Sequence, residues 1–357
     1  MNLNEIFEMM INSSATDIFI RVGSCLKGRV NTEIKVIDEY RFSSVDIIKI
    51  VGEMIGEQNQ RDLLQENKSS EFSLWYKDEW RFRVGIFYQR NTVSIVVRKI
   101  DLKIPVFSDL NLPVKPLEDF CHQRRGLILV TGITGSGKST AIATMLEYIN
   151  RKFGRHILTV EEPIEFVFTD KQAIISQREI GKDVANYEDA LRQFAVHSPD
   201  IMYIGNIRDY ATCHAALTAA ETGVLVFSTL HTVNAASTIE RIINFFPPYQ
   251  HHFVLMQLST LFKGAISLRL LPHISGNGLV PAYEVLTLSP SIARLLRENK
   301  VWEIPKYMEN GDIYGMNTFN QCLINLVESK QVSPQIALDF SDKVEELELN
   351  LRNKGLL

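Results

Sequence analysis

The stretch GITGSGKST, Gly132 to Thr140, decides the fold. It satisfies the pattern G-x-x-x-x-G-K-[ST] in full and directly follows RGLILVTG, an apolar run that predicts a strand. The next residues, STAIATMLEYINRK, predict a helix. A phosphate-binding loop requires this order of strand, loop and helix, so the context disfavours the alternative of a glycine-rich turn that binds nothing.

The loop residues have separate roles in holding a nucleotide. Its glycines let the backbone curl, so that several N–H groups face one anion. Lys138 is expected to reach the β- and γ-phosphates and the Ser139 hydroxyl to bind Mg²⁺, while the start of the helix adds partial positive charge. The sequence therefore predicts ATP and Mg²⁺ as ligands. The predicted cofactor-binding residues are Gly132, Thr134, Gly135, Ser136, Gly137, Lys138, Ser139 and Thr140.

Short apolar runs alternate with helical stretches around the loop. HILTVEE, IMYIGN, VLVFSTLH and GAISLRLLP all have strand length. This alternation predicts an α/β domain with a largely parallel sheet and helices on both faces, over residues 119–288. Residues 289–357 are predicted to form a C-terminal helical region.

The first hundred residues have a different pattern, in which helical and alternating segments predict a smaller α+β domain over residues 1–100. Three prolines interrupt the run DLKIPVFSDLNLPVKPLED. Proline fixes φ and blocks helix continuation, so residues 101–118 are predicted to be an extended linker.

Composition excludes several classes of function. The net charge of -4 argues against a general nucleic-acid binder. The four cysteines, Cys25, Cys121, Cys213 and Cys322, lie far apart and form no zinc-binding pattern, which favours a reduced cytosolic setting. No run approaches the ~20 apolar residues of a membrane span, so we expect contact with a membrane only through partners.

Four polar residues follow predicted strands and are candidates for chemistry. Glu161 and Glu162 stand in TVEEPIEFVF, where carboxylates beside a phosphate loop can hold Mg²⁺ or orient a water. Without that loop, such a cluster is more often a solvated turn. Asn206 ends IMYIGN, at a position where a carboxylate is expected to face the phosphates. His231 ends FSTLH and is either a γ-phosphate sensor or a partly buried polar residue.

The order of the motifs resembles that of one family. The motifs are GITGSGKST, VEEPIE, PD followed by GNIRD, and TLHT. Together they resemble the secretion-superfamily ATPases, specifically the PilT-type motors that retract type IV pili, over nearly the whole chain. SIARLLRENK, Ser291 to Lys300, resembles the C-terminal motif of the retraction motors. The zinc site of the assembly and type II secretion ATPases has no counterpart, which also favours the retraction type.

The resemblance implies a hexameric ring whose subunits have a PAS-like N-terminal domain and a RecA-like ATPase domain. Arg81, Arg83 and Arg98 match arginines that contact the phosphates in the family, and the alternative for each is a surface residue on a strand. The implied function is ATP-driven retraction of a type IV pilus from the cytoplasmic side of the inner membrane. The implied partners are further copies of the chain, an inner-membrane platform protein and a paralogous motor ATPase.

The chain also departs from the family pattern. The family has Gly-Glu where this chain has Gly205-Asn206, and that glutamate is expected to orient or deprotonate the attacking water. Val196-His197-Ser198 replaces Arg-Glu-Asp, and Val224 replaces a histidine. These changes are typical of a weakened ATPase, of a motor in which Glu161 or Glu162 serves the water or, at Asn206 alone, of a deliberate substitution. The alternatives to a retraction motor are an ATP-binding accessory subunit with little turnover and an assembly or secretion ATPase.

Overall fold

Alternating apolar residues near the N-terminus build a six-stranded antiparallel sheet. We describe it from a computed structural model that covers residues 1–30, 33–55, 69–77, 79–100, 103–276 and 278–357. The strand order is β3-β2-β1-β6-β5-β4. The strands are β1 (Asp17–Arg21), β2 (Cys25–Val30), β3 (Glu33–Arg41), β4 (Ser69–Tyr76), β5 (Trp80–Gln89) and β6 (Thr92–Ile100). The helices of this region are α1 (Leu3–Asn12) and α2 (Ser44–Ile55).

Two helices cover one face of this sheet. Ile6 and Phe7 of α1 and Ile47 of α2 are buried against Ile18 and Ile20 of β1. A capping box between Asn2 and Glu5 begins α1. Successive strand residues point to opposite faces, so the residues between these isoleucines lie on the face that the two helices leave open.

The chain divides into two compact units, Met1–Lys103 with Glu165–Val167, and Ile104–Ile164 with Phe168–Leu357. The prediction of an extended linker over residues 101–118 is wrong in its second half. Helix α3 (Val114–Cys121) begins directly after Pro113, and Pro116 lies in its first turn. The first N–H groups of a helix have no intrahelical acceptor, so proline is tolerated there.

The second unit contains a seven-stranded sheet in the order β13-β12-β7-β11-β10-β8-β9. All neighbouring strands are parallel except β12 and β13. The strands are β7 (Gly126–Thr131), β8 (His156–Glu161), β9 (Ile174–Glu179), β10 (Ile201–Ile204), β11 (Leu225–Leu230), β12 (Phe262–Pro272) and β13 (Leu279–Thr287). This arrangement confirms the predicted, largely parallel sheet.

Helices pack on both faces of the second sheet. Leu127 and Leu129 of β7 enter one core and Ile128 and Val130 the other. The helices up to β12 are α4 (Lys138–Lys152), α5 (Tyr187–Arg192), α6 (Phe194–His197), α7 (Tyr210–Glu221), α8 (Ala235–Asn244) and α9 (His251–Leu261). The helices after β13 are α10 (Pro290–Arg297), α11 (Ile304–Met308), α12 (Phe319–Glu328), α13 (Pro334–Asp339) and α14 (Val344–Asn353).

The strand register aligns the carboxyl ends of four parallel strands. Leu230 of β11 pairs with Thr131 of β7, and Ile204 of β10 pairs with Val160 of β8. The loops that follow β7, β8, β10 and β11 therefore leave the sheet at one edge, where ligands bind in open α/β sheets. Among the described residues, no helix is long and apolar enough to cross a membrane.

Candidate nucleotide site

The phosphate loop curls directly between β7 and α4. Gly132, Gly135 and Gly137 all have positive φ, at 145°, 79° and 91°. At Gly132 a side chain is also excluded by contact, because a Cβ atom would lie 2.4 Å from the Ser136 hydroxyl oxygen. Helix α4 begins at Lys138, so the N–H groups of its first turn are available to an anion.

Lys138 lies inside this curl. Its side chain is buried, and Nζ donates to the carbonyl oxygens of Gly132 and Ile133, both at 2.9 Å. The buried Ser136 hydroxyl has no hydrogen-bond partner in the described part of the chain. A buried ammonium and an unpaired hydroxyl in one backbone cradle fit the phosphates of a nucleotide.

The other predicted loop residues lie around this cradle. Thr134 is exposed at the tip, while Ser139 and Thr140 are partly buried in the first turn of α4. The described residues contain no group of three or more His, Cys, Asp or Glu side chains that could hold a metal. Mg²⁺ needs no such cage, because it commonly uses one or two protein oxygens, water and substrate phosphates. The Ser139 hydroxyl and the Glu162 carboxylate are oxygen donors of this kind, and their role in holding Mg²⁺ stays a prediction.

A buried network of hydroxyl groups fixes the start of the loop. Thr131 donates to Ser267 on the neighbouring strand at 2.8 Å and accepts from Thr238 of α8 at 3.5 Å. The hydroxyl oxygens of Thr232 and Thr238 lie 2.6 Å apart. These residues link the loop to the segment after β11. The sequence does not reveal the link, because the contacts of Thr131 with Ser267 and Thr238 span more than 100 positions.

Glu161 and Glu162 follow the same strand but have different surroundings. Glu161 is buried and accepts hydrogen bonds from Thr159 at 2.7 Å and from Gln177 at 3.4 Å. The Glu162 side chain is 44% exposed and forms an ion pair with Arg208 at 3.0 Å. Because a surface pair is weak, Glu162 can exchange Arg208 for a ligand at little cost.

Asn206 follows β10 at the same edge. The backbone beside it is pinned, since Gly205 donates to Val160 at 2.9 Å and accepts from the Thr229 hydroxyl at 2.6 Å. The Oδ1 atom of Asn206 is buried, and the described residues give it no hydrogen-bond partner. An amide oxygen can accept a hydrogen bond from a water, but it cannot take the proton of that water near neutral pH.

His231 follows β11 and is exposed. Partial desolvation, followed by the charges of Lys138 and Arg208, lowers the pKa of its imidazole. The ring is therefore neutral near pH 7 and can accept or donate one hydrogen bond. The charges of Lys138 and Arg208 thus act on the His231 ring, which is electrostatically coupled to the phosphate loop.

Two residues of this edge escaped sequence reasoning. Arg208 belongs to the segment GNIRD, two residues after Asn206, and this closeness in sequence could have marked it as a site residue. Tyr187 carried no such signal, yet its hydroxyl would lie 3.2 Å from a Cβ atom at Gly205. Burial, followed by the charge of Glu162, raises the pKa of Tyr187, so the phenol stays protonated.

The predicted arginines lie together in the first unit. Arg83 and Arg98 are paired across β5 and β6. Arg98 contacts Asp17 at 2.7 Å, Arg83 forms an ion pair with Glu71, and Arg81 donates to Ser73 at 2.8 Å. Their contact with nucleotide phosphates stays a prediction.

Comparisons with known proteins identify a family of ATPases to which this nucleotide-site geometry is suited. The family model described as "Type II/IV secretion system protein" matches residues 2–278. The chain belongs to this family. It is 34% identical to "Type IV pilus ATPase PilU" of Pseudomonas aeruginosa, over 99% of this chain and 92% of that protein. It is 35% identical to "Type IV pilus retractation ATPase PilT" of the same organism, over 94% and 97%.

A solved structure extends this similarity to the fold. The crystal structure of the pilus retraction motor PilT with bound ADP has a TM-score of 0.91 and 40% identity, and the match covers 98% of this chain and 99% of that chain. The type II/IV secretion family and this structure confirm the α/β fold, with a RecA-like ATPase domain preceded by a smaller N-terminal domain. They also confirm the predicted resemblance to the PilT-type ATPases.

Proposed function

We propose that the chain is a hexameric motor that hydrolyses ATP to drive retraction of a type IV pilus. One observation carries the proposal: the buried Lys138 ammonium bonds two loop carbonyls at the sheet edge where Glu162 and Asn206 also lie. The similarity to PilT and PilU over more than nine-tenths of each sequence supports the pilus system as the setting.

In this proposal the residues of the edge share the work of catalysis. Lys138 and the N–H groups of the loop neutralise the phosphates, and Ser139 and Glu162 would hold Mg²⁺, which would supply further positive charge. Asn206 orients a water through its free amide oxygen. Glu162 or Glu161 takes the proton that Asn206 cannot take. His231 acts as a neutral sensor of the γ-phosphate. Arg83 and Arg98 contribute positive charge that stabilises the phosphates.

The second candidate is an accessory subunit that binds ATP but turns it over slowly beside a competent motor. Asn206 favours this reading, because loss of a general base typically costs about 10²- to 10⁴-fold in rate. An assembly or secretion ATPase is less favoured, because Ser291–Lys300 resembles the retraction motif. The structure gives this segment a packing role as well, with Ile292, Leu295 and Leu296 buried.

The proposed setting is the cytoplasmic face of the inner membrane. There the ring would act on a platform protein, alone or with a paralogous motor ATPase. The membrane would be reached through these partners.

The test compares wild type with Lys138→Ala in steady-state release of phosphate from Mg-ATP, with molar mass measured by light scattering. We expect a hexamer that releases phosphate, and a loss of turnover in Lys138→Ala of about 10²-fold or more, because removal of a single preorganised donor has effects of this size. Wild type that stays monomeric and releases phosphate no faster than Lys138→Ala would refute the motor.

A further inference from the structure

The open face of the first sheet carries a second group of candidate ligand-binding residues. Ile18 and Ile20 of β1 are buried under α1 and α2, so Phe19 and Arg21 point to the opposite face. Register extends this face across three further strands. Phe19 pairs with Lys27 of β2, and Arg21 pairs with Ser94 of β6, which in turn pairs with Phe87 of β5.

One end of this face is a basic cleft. Its lining includes Arg21, Lys27, Arg41 and Arg90, and no acidic residue belongs to the lining among the positions that the structure describes. At the other end, Asp17 pairs with both Arg29 and Arg98. Four cations thus line one cleft, with no carboxylate among its described lining residues, in a chain of net charge -4. Their mutual repulsion favours binding of an anion.

An apolar cleft adjoins the basic one. Its lining includes Phe19, Ile34, Phe87 and Val96, and it shares Arg21, Lys27 and Gln89 with the basic cleft. Ile34 is 49% exposed and Phe87 is 36% exposed. The shared residues make one continuous surface, on which an apolar group lies beside a strongly positive one.

Ser94 supplies an independent sign of a ligand. It lines the apolar cleft and is only 1% exposed, yet its hydroxyl has no hydrogen-bond partner in the described ranges. A buried polar group without a partner is costly, and most such groups in proteins are paired. Ser94 lies between Arg21 and Phe87 in the register, where the two clefts meet.

We infer that this face binds a phosphate ester whose organic part is apolar. The guanidinium groups of Arg21, Arg41 and Arg90 suit the phosphate, because a guanidinium can donate two parallel hydrogen bonds to its oxygens. Phe19 and Phe87 cover the organic part, and Ser94 donates to an ester oxygen. The site shares no residue with the phosphate loop, so the inference does not depend on whether the chain is a motor.

The test measures binding of a soluble short-chain phosphatidic acid to the full-length protein by titration calorimetry. Arg21→Glu is the main variant, because Arg21 lines both clefts. Lys49→Glu is its matched control, since this exposed lysine lies on α2, across the sheet. Lys138→Ala controls for binding at the phosphate loop. Arg90→Glu, in an exposed turn, replaces Arg21→Glu if that variant does not fold.

We expect the probe to bind, and Arg21→Glu to weaken binding about 10- to 100-fold, the range for lost hydrogen bonds to a charged group. Lys49→Glu and Lys138→Ala should bind as wild type does. The inference is overturned if the probe fails to bind, or if Arg21→Glu, or Arg90→Glu in its place, binds the probe as tightly as Lys49→Glu does.

A second arm identifies the source of the phosphate. The protein is floated with vesicles of phosphatidylcholine, with and without phosphatidylglycerol. Flotation that requires phosphatidylglycerol and is lost in Arg21→Glu supports the site with a membrane lipid as its ligand. Binding of the soluble probe without flotation supports the site with a soluble phosphate ester.

Discussion

The phosphate loop and the end of strand β10 lie at the same edge of one sheet. The loop carries all the residue types expected of its motif, whereas the end of β10 lacks the expected carboxylate. The loop keeps its glycines, its buried lysine and its hydroxyl groups, and the hydroxyl network of Thr131 holds its start. The end of β10 keeps its backbone bonds but carries Asn206, whose amide oxygen is buried without a partner in the described chain. We infer from this difference that nucleotide binding and water activation depend on separate residues.

The separation has a physical basis. Binding requires positive charge and N–H groups, which Lys138 and the first turn of α4 supply. Hydrolysis requires a group that accepts a proton from water, which an amide cannot do. A chain can therefore lose most of its turnover at Asn206 and keep its affinity for ATP. In the proposed mechanism, Glu162, 44% exposed and paired with Arg208, supplies the missing proton acceptor.

The largest expected effect tests that assignment. Glu162→Gln should lower the steady-state rate of phosphate release about 10²- to 10⁴-fold, because we propose that Glu162 accepts the proton of the attacking water. Glu161→Gln tests the other proposed acceptor in the same assay. It disturbs the hydrogen bond from Thr159 and should lower the melting temperature, with a smaller loss of turnover than Glu162→Gln shows. Unchanged turnover in Glu162→Gln would exclude Glu162 as the acceptor.

A smaller expected effect concerns Glu284, a buried carboxylate that holds the start of α8. Glu284 is buried and accepts from the N–H of Ala235 at 2.7 Å, which fixes the first residue of α8 after His231. Burial raises the pKa of Glu284 to about 7, although hydrogen bonds from Ala235 and Phe319 oppose the rise. The folded protein therefore holds this proton at pH values where the unfolded chain has released it, so stability falls as pH rises from about 4.5 to about 7.

Glu284→Gln should remove this dependence. Wild type should lose about 3 kcal/mol of unfolding free energy between pH 4.5 and 7.5 that the variant keeps, at about 1.4 kcal/mol for each unit of pKa shift. Urea unfolding at both pH values measures the difference. Equal pH dependence in the two proteins would show that Glu284 ionises normally.

The smallest effect concerns the partner of Glu162. Arg208→Gln frees Glu162 from an exposed ion pair, and such pairs contribute about 0–1 kcal/mol, or at most about fivefold in an equilibrium. We expect turnover to change by no more than this factor, with ATP affinity unchanged. A loss of a hundredfold would instead place Arg208 in direct contact with the phosphates.

Local patterns predicted the loop and the sheet well, because glycines, a lysine and apolar alternation act over a few residues. The positions of Glu161, Asn206 and His231 at strand ends followed from the same patterns. The sequence pattern does not predict β9, because IISQRE is largely polar, or α3, because proline within a helix usually ends it. The formation of β9 and α3 depends on tertiary packing. So does the hydrogen bond from Ala235 to Glu284, 49 positions away.

The most direct test measures ATP affinity and the rate of phosphate release side by side for wild type and Asn206→Glu. We predict equal dissociation constants, because the phosphate loop is unchanged, and a higher rate in Asn206→Glu. The gain should be smaller than the full contribution of a general base, about 10²- to 10⁴-fold, because Glu162 already supplies part of that function. Equal rates in the two proteins would contradict the account and show that Asn206 does not limit hydrolysis. A changed affinity would show that binding and water activation are not separate.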